Sequence, residues 1–233
     1  MKEYKFRGTD TTMKNSLVSS KRRRYCMRKR INRTGFAIAL MFGFAMTSSS
    51  QVKVTVDHNI AADAGAKAKI SLVVGQSDPA GAGLRALTDG LLPGSEDDPA
   101  NNFFFNADTD GGRILMDLGS AIEIARVNTY SWHVDSRAPQ VYNLYASDGS
   151  SPDFNLRPGE KIDPAAAGWR LIATVDTRPK QGSFGGQYGV SITDANGVIG
   201  KYRYLLFDCV ETETDDPWGN TFYSEIDVIA KNR

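Results

Sequence analysis

The chain has 233 residues, with 28 Lys and Arg almost balancing 27 Asp and Glu, enough for one large domain or two small ones. The balance is uneven: residues 1–50 carry twelve basic side chains against Glu3 and Asp10, leaving 16 basic and 25 acidic over the remainder. An acidic body repels phosphates, which argues against nucleic acid as a partner.

The basic head reads as an export signal. Arg28-Lys29-Arg30-Ile31-Asn32-Arg33 precedes twelve uncharged, mostly apolar residues, Gly35 to Met46, and then Thr47-Ser48-Ser49-Ser50. A basic region, a short apolar run and small residues at its exit make a secretory signal. A dozen residues in a helix reach roughly 18 Å, short of a ~30 Å hydrocarbon core, so no membrane span is expected in the mature form. Lys21-Arg22-Arg23-Arg24 is open to a second reading as a localisation patch, which the adjoining apolar run outweighs. Met27 offers a later start. The expected location is therefore secreted, periplasmic or on the cell surface. Cys26 leaves with the leader, and Cys209 then stands alone, as a small buried side chain rather than a nucleophile.

Beyond the leader the chain reads as strands and turns. Val52 to Val56 and Arg126 to Tyr130 alternate with period two. Val141 to Ala146, Arg170 to Val175, Lys201 to Val210 and Phe222 to Ala230 are β-branched, aromatic and short. Asp194-Ala195-Asn196-Gly197 predicts a hairpin after Val190-Ser191-Ile192-Thr193, because Asn-Gly accepts positive φ. Ala82 to Thr88 is the one helix-like stretch. Many short strands with almost no helix predict an all-β sandwich. The expected division is a leader over 1–50, a strand and linker over 51–69, and the sandwich over 70–233. Gly149 to Gly168 is long for a loop and is expected to be functional or mobile.

Five ordered marks carry a resemblance: Leu87-Thr88-Asp89-Gly90, Ile114-Leu115-Met116-Asp117-Leu118-Gly119, Tyr145-Ala146-Ser147-Asp148-Gly149, Lys201-Tyr202-Arg203-Tyr204-Leu205-Leu206 and Tyr223-Ser224-Glu225-Ile226-Asp227-Val228. Their order resembles the discoidin-like, coagulation-factor type C (galactose-binding-like) family over about 160 residues. The resemblance implies an eight-stranded jelly-roll β-sandwich and a binding module rather than an enzyme. Two departures stand out. Trp169 comes twenty residues after Ser147-Asp148-Gly149, and the paired cysteines of animal members are missing.

The resemblance also implies a structural calcium near the first Asp-Gly, held by Asp89 and Glu225, with Ser95 or Glu96 as further oxygen donors. Calcium takes six to eight oxygens, which suits turns where carbonyls and carboxylates converge. The other reading of Asp89 is an Asp shaping its own turn.

For ligand binding, Trp132, His133 and Arg137 lie at the end of an alternating strand. An aromatic face to stack on a sugar ring, together with planar polar groups for its hydroxyls, is what carbohydrate recognition needs. Trp132 pointing into the core and Arg137 paired to Asp135 is the competing arrangement. Trp218, between Pro217 and Gly219, is read as an exposed stacking platform or a lid over the core.

An enzyme is not expected. His58 and His133 are the only imidazoles, and no Gly-x-Ser-x-Gly, His-Glu-x-x-His or phosphate-binding glycine loop is present. The reading is a secreted, non-catalytic module for carbohydrate or a cell-surface glycoconjugate. The alternative is a structural or adhesive surface protein that contacts other proteins through its loops.

Overall fold

The computed structural model describes residues 51–54, 63–107, 109–212 and 220–231; the export signal, His58 and Trp218 lie outside them. Eight strands are formed: β1 (Gln51–Val54), β2 (Lys69–Val74), β3 (Gly111–His133), β4 (Val141–Ser147), β5 (Arg170–Asp176), β6 (Gly186–Thr193), β7 (Gly200–Val210) and β8 (Tyr223–Ala230). Short 3₁₀ turns are the only helices among the described residues, and the helix-like stretch is one of them, Leu84–Thr88.

All strand pairs are antiparallel, and β3 runs through two layers. Its first part pairs with β2 on one side and β7 on the other, and β4 and β5 extend that layer beyond β7. Its second part pairs with β6 and β8, and β1 adds to β6. The change of layer falls where the β3–β7 register shifts between Asp117 and Ile122, next to Gly119 at φ 81°. A register shift of this kind bends a strand and increases its twist. Only a residue without Cβ takes that φ freely.

The layers face each other across one core. Ile114, Met116, Tyr142, Leu144, Val175, Leu205 and Phe207 come from one side, and Val127, Val190, Ile192, Ile226 and Val228 from the other. The fold is the all-β sandwich expected.

Strands buried on both faces read as unbroken apolar runs. This explains Ile114-Leu115-Met116 and Leu205-Leu206-Phe207. Their odd members, Leu115 and Leu206, leave the inter-layer core and pack with Tyr145, Ala167 and Trp169 on the outer face. That face is roofed by residues 149–168. Phe154 lies 5.2 Å from Trp169 and 5.3 Å from Tyr204 between ring centroids, and the Trp169 indole N–H donates to the Asn155 carbonyl at 2.8 Å. Arg113, almost fully buried, donates to the carbonyls of Pro158, Gly159 and Ile162 and forms a bidentate pair with Asp208. The excursion is therefore a cover tied down by an arginine, and the late position of Trp169 follows from its place beneath that cover.

Within residues 51–69, Gln51–Val54 forms the expected strand and pairs with β6 from Gln51↔Thr193 to Val54↔Val190, and Asp63 bridges Ile229. The backbone groups that β6 leaves open on the side away from β3 give β1 its partners. The turn at Asp194–Gly197 does form, with Gly197 N–H donating to the Asp194 carbonyl at 2.9 Å and Gly197 at φ 75°. It does not close a hairpin, since β6 and β7 each pair with β3 and not with each other. Turn chemistry is local, whereas strand pairing is decided by the layers.

Replacing Arg113 with Met is expected to cost about 3 kcal/mol, because it leaves Asp208 without its partner. It should also open the Lys161–Ile162 bond to trypsin while the β signature in circular dichroism persists. Unchanged cleavage at Lys161 would show that the arginine does not hold the cover.

Candidate functional site

The second half of β3 separates its side chains by parity. Thr129 turns toward Gln140 and the Tyr142 hydroxyl, the latter at 2.8 Å, while Asn128 turns the other way toward Asp227 and Ser191. Tyr130 and Trp132 continue the Asn128 series.

Trp132 lines a cavity of about 270 Å³. Leu92 and Pro93 contribute one wall from the segment after the first Asp-Gly; Tyr130, Ser131 and Trp132 come from β3, Gln187 and Tyr188 from β6, and Ser224 from β8. Trp132 and Gln187 are register partners, so an indole and an amide stand side by side. Three aromatic residues and a few polar groups around a small apolar hollow suit a compact, amphiphilic ligand. The residues lining the cavity include no carboxylate, imidazole or thiol.

His133 is not part of this cavity. It is fully buried, with Nδ1 2.7 Å from Asp135 Oδ1 and Nε2 3.4 Å from Asp97, and its ring meets Phe222 edge-on at 4.6 Å. Arg137 lies over the same ring, 5.1 Å from its centroid, and its carbonyl accepts the Phe222 N–H at 3.0 Å. Phe222 stacks on Phe104 at 4.1 Å. Burial raises the Asp135 carboxyl, but the Arg137 backbone N–H and the charges of His133 and Arg137 outweigh it and hold the group below its ordinary value. Thus His133 and Arg137 come together as a clamp on the segment before β8, and neither accompanies Trp132. The alternation places His133 and Trp132 on opposite faces, which corrects their grouping as a single site. Trp218 lies outside the described residues.

Beside the cavity lies an acidic cluster. Asp63, Glu225 and Asp227 each bring a carboxylate oxygen within 4.8 Å of the others, and Glu225 and Asp227 are fully buried. Asp63 Oδ1 accepts the N–H groups of Gly65 and Val228, both at 2.7 Å. Glu225 Oε2 accepts the Gly90 N–H at 2.9 Å, and Asp227 Oδ2 accepts from the Asn128 amide at 3.1 Å. Glu225 Oε1 and Asp227 Oδ1 are buried without a hydrogen-bond partner. Burial, aided by the neighbouring Asp227, Asp89 and Asp63, pushes Glu225 up to about 8, and burial also raises Asp227.

Converging carboxylates with free buried oxygens fit a hard cation. Glu225 stands among them as expected. Asp89 stands at the edge: its Oδ1 accepts the Leu91 N–H at 3.0 Å, shaping its own turn, while its charge reaches Glu225. Ser95 and Glu96 are not in the cluster.

The sequence reading missed Asp63 and Asp227. Glu225-Ile226-Asp227 did carry a signal, two acids at period two within an otherwise apolar strand. Asp63 carried none, because its place depends on its bridge to Ile229.

No protein-family profile matches the chain, and no curated protein sequence is significantly similar to it. Among solved structures it is similar to SpGH29, at 13% identity and a TM-score of 0.43, over 73% of this chain and 28% of that protein. It is also similar to a chitosan-binding module of a chitosanase/glucanase from Paenibacillus sp. IK-5, at 17% identity and a TM-score of 0.43, over 72% and 98% of the two chains. A third is the lectin domain of lectinolysin, complexed with Lewis B antigen, at 12% identity and a TM-score of 0.46, over 75% and 100%. All three scores fall below 0.5, so the fold rests on the strand order and core described above.

The raised Glu225 value predicts how stability changes with pH. A carboxyl whose folded value lies above its ordinary 4.5 contributes stability that is present at low pH and lost as pH rises through about 8. In EDTA the unfolding free energy is therefore expected to fall between pH 5 and 9 by an amount on the order of a few kcal/mol, with the melting temperature falling alongside it, and Glu225→Gln should flatten that slope. A wild-type profile that is flat over this range, or identical in the variant, would contradict the assignment.

Proposed function

We propose that this protein is a secreted, non-catalytic module that binds carbohydrate or a glycoconjugate in the cavity at Trp132, with calcium at Asp63, Glu225 and Asp227 as a structural ion. The observation that carries the reading is the set of side chains around one small hollow. Tyr130, Trp132 and Tyr188 offer aromatic faces, while Gln187 offers an uncharged amide donor and acceptor. A sugar ring presents apolar C–H faces and a rim of hydroxyls, and that combination is its complement.

At the acidic cluster, Asp63, Glu225 and Asp227 would supply three of the six to eight oxygens that calcium takes. Bound there, the ion would neutralise buried charge and tie the segment before β2 to β8. The leader over residues 1–50 supports export.

A second reading is favoured by one feature of the margin. Leu91, Val134 and Phe184 are exposed apolar side chains on the segments that also carry Leu92, Trp132 and Gln187. They would suit an adhesive surface protein that contacts other proteins. Phe222, expected to share in such a patch, is instead buried against Phe104 and His133.

A glycan array probed with the exported chain, with and without calcium chloride, separates these readings. Retention of one or more glycans is expected, and Trp132→Ala should weaken it about tenfold, the equivalent of roughly 1.4 kcal/mol. His133→Gln should act on thermal stability and leave glycan selectivity unchanged. Failure to retain any glycan in either condition would reject the carbohydrate reading and leave the adhesive one.

A further inference from the structure

We infer that the acidic cluster and the aromatic cavity are one coupled unit, in which a divalent cation at Asp63, Glu225 and Asp227 shapes the cavity and favours ligand binding. The inference rests on the ion-site and carbohydrate readings above and adds the link between them.

Two connections on adjacent strands make that link. The first is a backbone hydrogen bond. The Gly90 N–H donates to Glu225 Oε2 at 2.9 Å, and Leu92 and Pro93, the loop wall of the cavity, follow two and three residues later. Gly90 sits at φ 75°, a conformation that a side chain would strain, so the direction of this N–H is set by the glycine.

The second connection is Tyr130. Its ring lines the cavity, and its hydroxyl side reaches Asp227 and the Asn128 amide, the latter at 3.2 Å. In the β3–β8 register Tyr130 stands directly opposite Glu225. Both cavity walls are therefore bonded to the carboxylates that would hold the ion.

These carboxylates have unspent capacity. Glu225 Oε1 and Asp227 Oδ1 are buried with no hydrogen-bond partner, while Glu225 Oε2 accepts from Gly90 and Asp227 Oδ2 from the Asn128 amide that also meets the Tyr130 hydroxyl. A cation drawing the free oxygens together fixes the orientation of both carboxylates, and with it the Gly90 N–H and the Tyr130 ring. Without the ion, nothing draws Glu225 Oε1 and Asp227 Oδ1 together, and the same two contacts are less constrained. Coupling between sites is reciprocal, so bound ligand must in turn tighten the ion.

The test uses the full exported chain stripped with EDTA, with calcium chloride as the sole first probe. Calorimetry reads ion binding, and tryptophan emission reads the cavity. The chain has three Trp, and Trp132→Phe identifies the signal that belongs to the cavity. A saturable emission change on adding calcium is expected in the wild type and should be lost in Trp132→Phe, whose heat of calcium binding persists. Tyr130→Phe keeps the ring but removes the hydroxyl link, and it should bind calcium while losing much of the emission change. For a glycan retained on the array, saturating calcium should raise affinity about tenfold, within the usual range of site coupling, and by less in Tyr130→Phe.

Calcium binding by calorimetry with unchanged Trp132 emission, or equal glycan affinity in calcium and EDTA, overturns the coupling and leaves the two sites standing separately. Absence of any calcium heat overturns the ion site and the coupling together. If no glycan binds, the carbohydrate reading fails alone, and the emission titration still decides whether ion and cavity are linked.

Discussion

An antiparallel strand that passes from one layer of a sandwich into the other must keep its hydrogen bonds while it bends, and β3 does so over 23 residues. Gly119 and the register shift beside it absorb the bend, so both halves of the strand remain paired on both sides. The rest of the molecule is arranged around this continuity. Ile114 and Met116 enter the core from one layer and Val127 from the other, and they belong to one cluster because they belong to one strand. The same continuity sets the position of Trp132 at the far end of β3, between β6 and β8.

The two layers solve the problem of their outer faces in opposite ways. On the five-stranded side that face is apolar, with Leu115, Tyr145 and Leu206 covered by Trp169 and Phe154. Its cover is held by Arg113, whose charge is matched by Asp208 and whose remaining N–H groups find carbonyls. Removing charge from water without such compensation is expensive. On the four-stranded side the outer face is polar, and there the compensation is incomplete: Glu225 and Asp227 are buried with unused oxygens. A purely structural layer would gain from apolar replacements at these positions. Their place beside the cavity is what supports putting the proposed binding role on this side.

Much of this was legible in the chain. Period-two and β-branched runs located most strands, and the family resemblance pointed to Glu225, which stands in the acidic cluster. The sequence was less informative where parity and pairing interact. Trp132 and His133 are neighbours in sequence and were read as one site, yet adjacent residues on a strand face opposite ways. His133 accordingly joins Asp97, Asp135 and Phe222 in a buried clamp, while Trp132 finds Gln187 across the strand pair. The Asp194–Gly197 turn shows the same division: the turn forms as its residues require, but the strands it joins go to different layers.

What the sequence determined by itself is what short-range chemistry decides. Alternation selects strands, and a glycine at positive φ selects a turn. What only the tertiary structure decided is which of the many polar residues converge. Asp63 and Glu225 are 162 positions apart and meet because Asp63 bridges Ile229 at the end of β8. Leu92 and Gln187, 95 positions apart, share a cavity with Trp132 of β3. Such convergence depends on the order of strands across the layers, set by burial of the whole core and not by any local stretch of chain.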